Sequence, residues 1–161
     1  MLSNKVSEIM TTNLTTASVT SSIQEVLEMM VAADVGRIIV TSKEVPVGIF
    51  TEKDVMKRVV NKNSDPRKSL IKEVMTSPIR TVREETHIVE AFGKMYRGKY
   101  RHLLVRGKRG KIVGIVSMRR ILGLAVELGQ GMSETKTLGS LVSGGALSVD
   151  EAHRFMKPST S

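Results

Sequence analysis

The sequence contains no cysteine, and that absence removes disulfides, thiolate metal sites and cysteine nucleophiles from consideration. No apolar run approaches the roughly 18 residues that a membrane-spanning helix requires. The N-terminus shows no basic stretch followed by an apolar core, so no secretory leader is expected. Neither a P-loop nor a G-x-G-x-x-G fingerprint occurs. The three histidines, His87, His102 and His153, have no metal-ligand spacing with one another or with carboxylates. Aromatic residues make up 3% of the chain, fewer than the stacking platforms for single-stranded nucleic acid usually employ. These absences lead to an expected soluble, cytoplasmic protein that is not an enzyme, uses no catalytic cofactor or metal, and has no membrane partner.

What is present is unevenly distributed. Over its 161 residues the chain carries a net charge of +9. Residues 1–65 hold seven Lys/Arg against eight Asp/Glu, and residues 126–161 hold three against four. Residues 66–125 hold fifteen basic and four acidic side chains, a balance of +11. The whole excess sits in one middle segment, which points either to a polyanionic partner or to a well-solvated basic surface.

The chain also repeats itself. "VSEIMT" (Val6–Thr11) matches "IKEVMT" (Ile71–Thr76) at an offset of 65, and the same offset pairs Thr16 with Thr81, Ile23 with Ile88, Glu25 with Glu90, Met30 with Met95 and Val40 with Val105. After one inserted residue, "VGIFTEKD" (Val47–Asp54) meets "VGIVSMRR" (Val113–Arg120). Two copies of about 60 residues fill most of the chain, and such a period demands that the fold be read as a repeat. Each copy reads as helix, strand, helix, strand, strand, helix. Ile23, Val26, Leu27, Met30 and Val31 form a one-faced helical stripe behind a Ser22-x-x-Glu25 capping box. Ile88, Ala91, Phe92, Met95 and Tyr96 repeat the stripe, and short β-branched runs follow in both copies. The predicted boundaries are 1–65 for the first unit, 66–128 for the second and 129–161 for a tail.

The stretch "GIFTEKD" (Gly48–Asp54) is where chemistry could sit. Thr51-x-x-Asp54 at a strand-to-helix turn is a capping-box pattern. It also places a hydroxyl and a carboxylate where a ligand could be held. The seven residues alone leave both readings open.

Two tandem units that open with V-x-x-[IV]-M-T and close with G-[IV]-[IFV]-[TS]-x-x-D resemble a pair of CBS domains, the Bateman module. The resemblance spans about Val6 to Leu128. It implies an α/β (α+β) fold of two tandem βαββα units packed about a pseudo-twofold axis, with adenosine compounds bound in clefts between them. It further implies a non-catalytic regulatory module that acts as an energy sensor for AMP, ADP or ATP, with S-adenosylmethionine ranked behind them. The position of Asp54 is that of the family's ribose-binding aspartate, and an ionised carboxylate has two acceptor oxygens suited to a vicinal diol. Thr51 would offer its hydroxyl to ribose or phosphate, and Ile49 would line the adenine pocket. Lys53 flanks these positions, and Val35, Gly36, Arg37, Lys99, Tyr100, Arg101 and His102 precede or open the mid-unit strands from which the family reaches phosphate. For the Asp54 cleft, backbone from the opposite copy near Val74, Met75 and Pro78 would contact the base. The second copy departs from the pattern: Ile115 and Ser117 are kept, but Arg120 replaces the aspartate. Arginine has donors and no acceptor, so a possible second site there would be empty or would take an anion.

Stand-alone pairs in the family commonly form a homodimer through the helices that begin near Asp54 and Arg120, and a regulated protein partner is the implied recipient of the signal. The rival expectation is nucleic-acid binding, on Arg97, Lys99, Arg101, Arg106, Lys108, Arg109 and Lys111. The tail holds a Gly/Ser-rich stretch at 139–145 and a short candidate helix from Ser148.

Overall fold

The computed structural model describes residues 4–129. The expectations for the tail beyond them lie outside the described residues. Contacts divide the chain into two units, Asn13–Arg80 and Thr81 onward together with the first twelve residues.

In the first unit the order is β1 (Thr16–Ser18), α1 (Ile23–Ala32), β2 (Arg37–Ser42), β3 (Val45–Thr51) and α2 (Glu52–Asp54). The short α2 runs directly into a π-helical turn at Val55–Val60, and a 3₁₀ turn follows at Ile71–Glu73. The sheet order is β1-β2-β3, with β1 parallel to β2 and β2 antiparallel to β3. Helix α1 starts where the sequence says it should. Ser22 accepts from the Glu25 N–H at 3.2 Å, and the Glu25 carboxylate takes the Ser22 N–H at 2.7 Å, so two of the donors a helix start leaves unpaired find partners. The buried stripe Ile23, Val26 and Met30 then packs with Ile38, Val40 and Phe50 of the sheet.

The second unit repeats this plan with β4 (Thr81–Arg83), α3 (Ile88–Gly98), β5 (His102–Arg106), β6 (Ile112–Ser117) and α4 (Met118–Gly129). Its sheet runs β4-β5-β6 with the same parallel and antiparallel pairings. Even the register irregularity recurs, between Val40 and Thr41 in one sheet and between Val105 and Arg106 in the other. The expected βαββα unit is therefore present twice.

The units are not cut where the repeat offset cuts the sequence. Ile71 and Val74, from the second copy of the opening motif, are buried in the core of Asn13–Arg80. Val6 and Ile9, from the first copy, are buried in the core of the other unit. Backbone bonds follow the same exchange. Thr76 and Ile49 exchange N–H···O bonds of 2.8 and 3.0 Å, and Thr11 and Ile115 exchange bonds of 2.8 and 2.9 Å. Each opening motif thus lies along the closing strand of the opposite sequence repeat. Glycine permits the approach: a Cβ on Gly48 would strike the Met75 sulfur, and one on Gly114 would lie 2.7 Å from the Met10 sulfur.

Candidate functional site

Strand β3 ends at Thr51, and the chain turns at once into α2, which leaves Asp54 one turn in and facing back toward the strand end. Asp54 is 7% exposed, the buried charged side chain among the described residues. A carboxylate in that position needs partners, and it has four. Oδ2 accepts the Thr51 N–H at 3.0 Å and the Thr51 hydroxyl at 2.9 Å. Oδ1 accepts the Thr76 hydroxyl at 3.1 Å and lies 3.6 Å from Arg58 Nε. Asp54 therefore caps its own helix and also gathers a residue from the exchanged segment.

Arg37 opens β2 directly opposite Thr51 in the antiparallel register, which puts both side chains on one face of the sheet. It is half-buried, and burial lowers its pKa from the ordinary guanidinium value. Among the described residues no carboxylate or carbonyl pairs with it. The neighbouring Gly36 carbonyl accepts the Glu52 N–H at 3.2 Å, and the Val35 N–H donates to Met30 at 3.0 Å, so the backbone that carries Arg37 is fixed to both α1 and α2. Ile49 is half-buried beside Thr76, Lys53 is exposed, and Pro78 is exposed after Ser77, whose hydroxyl donates to the Val47 carbonyl at 3.0 Å. Asp54, Thr51, Ile49, Arg37, Gly36, Val35, Lys53, Val74, Met75 and Pro78 all belong to the unit Asn13–Arg80.

The remaining candidates belong to the other unit. Lys99 takes a left-handed conformation (φ 56°) at the end of α3 and is exposed. The Tyr100 ring covers Gly98, where a Cβ would collide with it. Arg101 is exposed, and its carbonyl accepts the Met118 N–H at 2.9 Å. His102 stands opposite Ser117, the register position that Arg37 and Thr51 occupy in the first unit. Ser117 accepts the Arg120 N–H at 3.1 Å, so the helix is capped there by the hydroxyl while the Arg120 side chain is exposed. Ile115 is buried. Around the β5–β6 turn Arg106, Lys108, Arg109 and Lys111 are exposed, with Arg106 donating to the Gly110 carbonyl at 2.8 Å. An open depression of about 810 Å³ beside β4 in this unit is lined by Arg83, Glu85, Glu90, Lys94 and Arg106. Its charges are mutually balanced in part, with Lys94 2.9 Å from Glu90.

Sequence reasoning missed two participants at Asp54. Arg58 lies four residues on, a spacing at which an acid and a base meet along a helical turn. Thr76 was legible only as the last letter of the opening motif.

The doubled sheet-and-helix unit, with its hydroxyl and acid at one strand-to-helix turn, defines a paired CBS module. The chain belongs to the CBS domain family, whose sequence profile matches residues 6–61 and 71–127. It is 29% identical over 156 residues to an uncharacterized 17.7 kDa protein of Acidianus ambivalens, covering 93% of each chain. It is 32% identical over 123 residues to an uncharacterized protein of Methanopyrus kandleri, covering 76% of this chain and 63% of that one. A CBS domain protein of Pyrobaculum aerophilum solved in complex with AMP is similar in structure, with a TM-score of 0.67 at 26% identity over 86% of this chain and 98% of that chain. No helix among the described residues is long and apolar enough to cross a membrane, and no group of three His, Asp or Glu among them could hold a metal ion.

Proposed function

We propose that this protein is a non-catalytic sensor that binds an adenine nucleotide at Asp54 and Arg37 and passes the bound state to a protein partner. The observation that carries the reading is Arg37. A half-buried guanidinium that pairs with no carboxylate or carbonyl among the described residues, set on the same sheet face as the Thr51 side chain and close to the Asp54 carboxylate that Thr51 holds, is suited to a ligand with an anionic end and a diol end. Arginine forks match phosphate oxygens bidentately. AMP is the first nucleotide to try, because the Pyrobaculum relative holds it. ADP and ATP share the same two recognition groups.

Calorimetric titration of Arg37→Ala with AMP and with adenosine separates the two ends. AMP affinity is expected to fall about 10- to 100-fold, as for a lost hydrogen-bonded charge pair, with adenosine affinity unchanged. An equal fall for both would remove Arg37 from the phosphate.

Self-association through the closing helices is part of the proposal. Met56 and Val60 in the first repeat and Leu122 and Val126 in the second leave the same apolar pair, four residues apart, open to solvent. Val60 is 70% and Val126 64% exposed, and paired apolar positions of that kind mark association surfaces. Sedimentation velocity is expected to show a dimer for the wild type and a monomer for Val60→Glu/Val126→Glu. A monomeric wild type would contradict it.

A further inference from the structure

The Asp54 carboxylate has little room left. A carboxylate offers about four lone-pair positions; Thr51 N–H, Thr51 Oγ1 and Thr76 Oγ1 take three of them, and Arg58 Nε lies 3.6 Å from Oδ1 as an ion pair. A vicinal diol brings two further donors, so something must leave. The two contacts to Thr51 are short and local, within one turn of backbone. Those to Oδ1 are the longer pair, and both run to groups that report on another segment. Thr76 belongs to that segment directly. Arg58 is tied to it through Nη1, which donates to the Val74 carbonyl at 3.1 Å and also to the Met75 carbonyl.

We infer that Arg58 and Thr76 form a latch that competes with the ligand for Asp54 and couples its occupancy to Val74–Thr76, the segment that leads from the first unit into β4. The inference rests on the proposed nucleotide site. With Asp54 free of ligand, its carboxylate holds Thr76 and orients Arg58 against the two carbonyls. When ribose hydroxyls take Oδ1, the Thr76 hydroxyl loses its acceptor, and Arg58 loses the anion that sets its guanidinium. Val74–Thr76 then stays attached by the Ile49 backbone bonds and the buried Val74 side chain, without the side-chain latch. The second repeat has no such device. Leu124 stands at the position of Arg58, and Arg120 at that of Asp54. Signalling through the chain between the repeats is therefore built into one copy only. A ligand shifts such an equilibrium by its differential affinity for the two states, and the closed latch lowers apparent affinity by the fraction of molecules it withholds.

The sign of the effect makes the test. Arg58 is partly exposed and Thr76 exposed, so Arg58→Leu and the isosteric Thr76→Val should both fold. AMP is titrated calorimetrically into the wild type and both variants. Each variant is expected to bind AMP about fivefold more tightly than the wild type, the worth of one hydrogen bond removed from the competing state. Amide exchange at Met75 and Thr76 in the ligand-free protein should also quicken in Arg58→Leu. Unchanged or weaker AMP binding in both variants, with the wild type binding normally, overturns the latch and leaves the nucleotide site standing. A wild type that binds no AMP overturns the site, and the latch with it.

Discussion

Asp54→Ala is expected to abolish saturable AMP binding, a loss of at least about 100-fold for two charge-assisted hydrogen bonds. The same change should cost about 1–3 kcal/mol of stability, because Thr51 loses its cap and Thr76 and Arg58 lose their common anion. The cost stays moderate because Thr76 and Arg58 are open enough for water to replace the carboxylate. The two effects separate in Asp54→Asn. The amide keeps the size of the side chain and one acceptor oxygen but turns the other acceptor into a donor. Stability should therefore return most of the way while AMP binding stays lost. Calorimetry and denaturant titration on the two variants measure both quantities. An Asp54→Ala protein that binds AMP like the wild type would return "GIFTEKD" to the role of a helix cap.

Phe50→Ala is expected to be the most destabilising single truncation in the first unit, at about 3–5 kcal/mol. The scarcity of aromatics explains why. The chain has three phenylalanines and no tryptophan, and each core is built around one of them, Phe50 in one and Phe92 in the other. Both rings are fully buried. Phe50 sits on β3 one residue before Thr51, so the cavity opens directly beneath the turn that carries Asp54. A loss of that size is a large part of the 5–15 kcal/mol typical of a folded protein. Urea denaturation followed by circular dichroism checks it, and a change below about 1 kcal/mol would mean that the site collapses around the cavity.

The repeat makes most of the fold legible in the sequence itself. An offset of 65 fixes equivalent elements, and the apolar stripes from Ile23 and Ile88 fix the two long helices. The Ser22–Glu25 box marks a helix start to the residue, because capping is a local interaction of side chain with backbone. The resemblance places backbone of the opposite copy near Asp54, but the apolar pattern by itself does not show the exchange of opening motifs, and the reason is physical. Val6 and Ile9 carry the same apolar spacing as Ile71 and Val74, so the pattern says that each pair is buried but not against which sheet. The π-helical turn at Val55–Val60 escaped for a similar reason. Val55, Met56, Val59 and Val60 suit a wider turn as well as an α-helical one. At the candidate site, Asp54, Thr51 and Arg37 could be named from the motif and from strand position. The contact of Thr76 with Asp54 depends on a chain reversal over more than twenty residues, and only the folded backbone supplies it.

On the proposed reading, ligand chemistry in this chain is concentrated at Asp54 and Arg37, in one of two otherwise matching repeats. A crystal structure of the protein grown with AMP tests it most directly. Ribose hydroxyls are expected within hydrogen-bond distance of the Asp54 carboxylate, with phosphate on the Arg37 guanidinium and the Thr76 hydroxyl turned away from Oδ1. AMP seated at Ser117 and Arg120, with Asp54 still holding Thr51, Thr76 and Arg58, would contradict it.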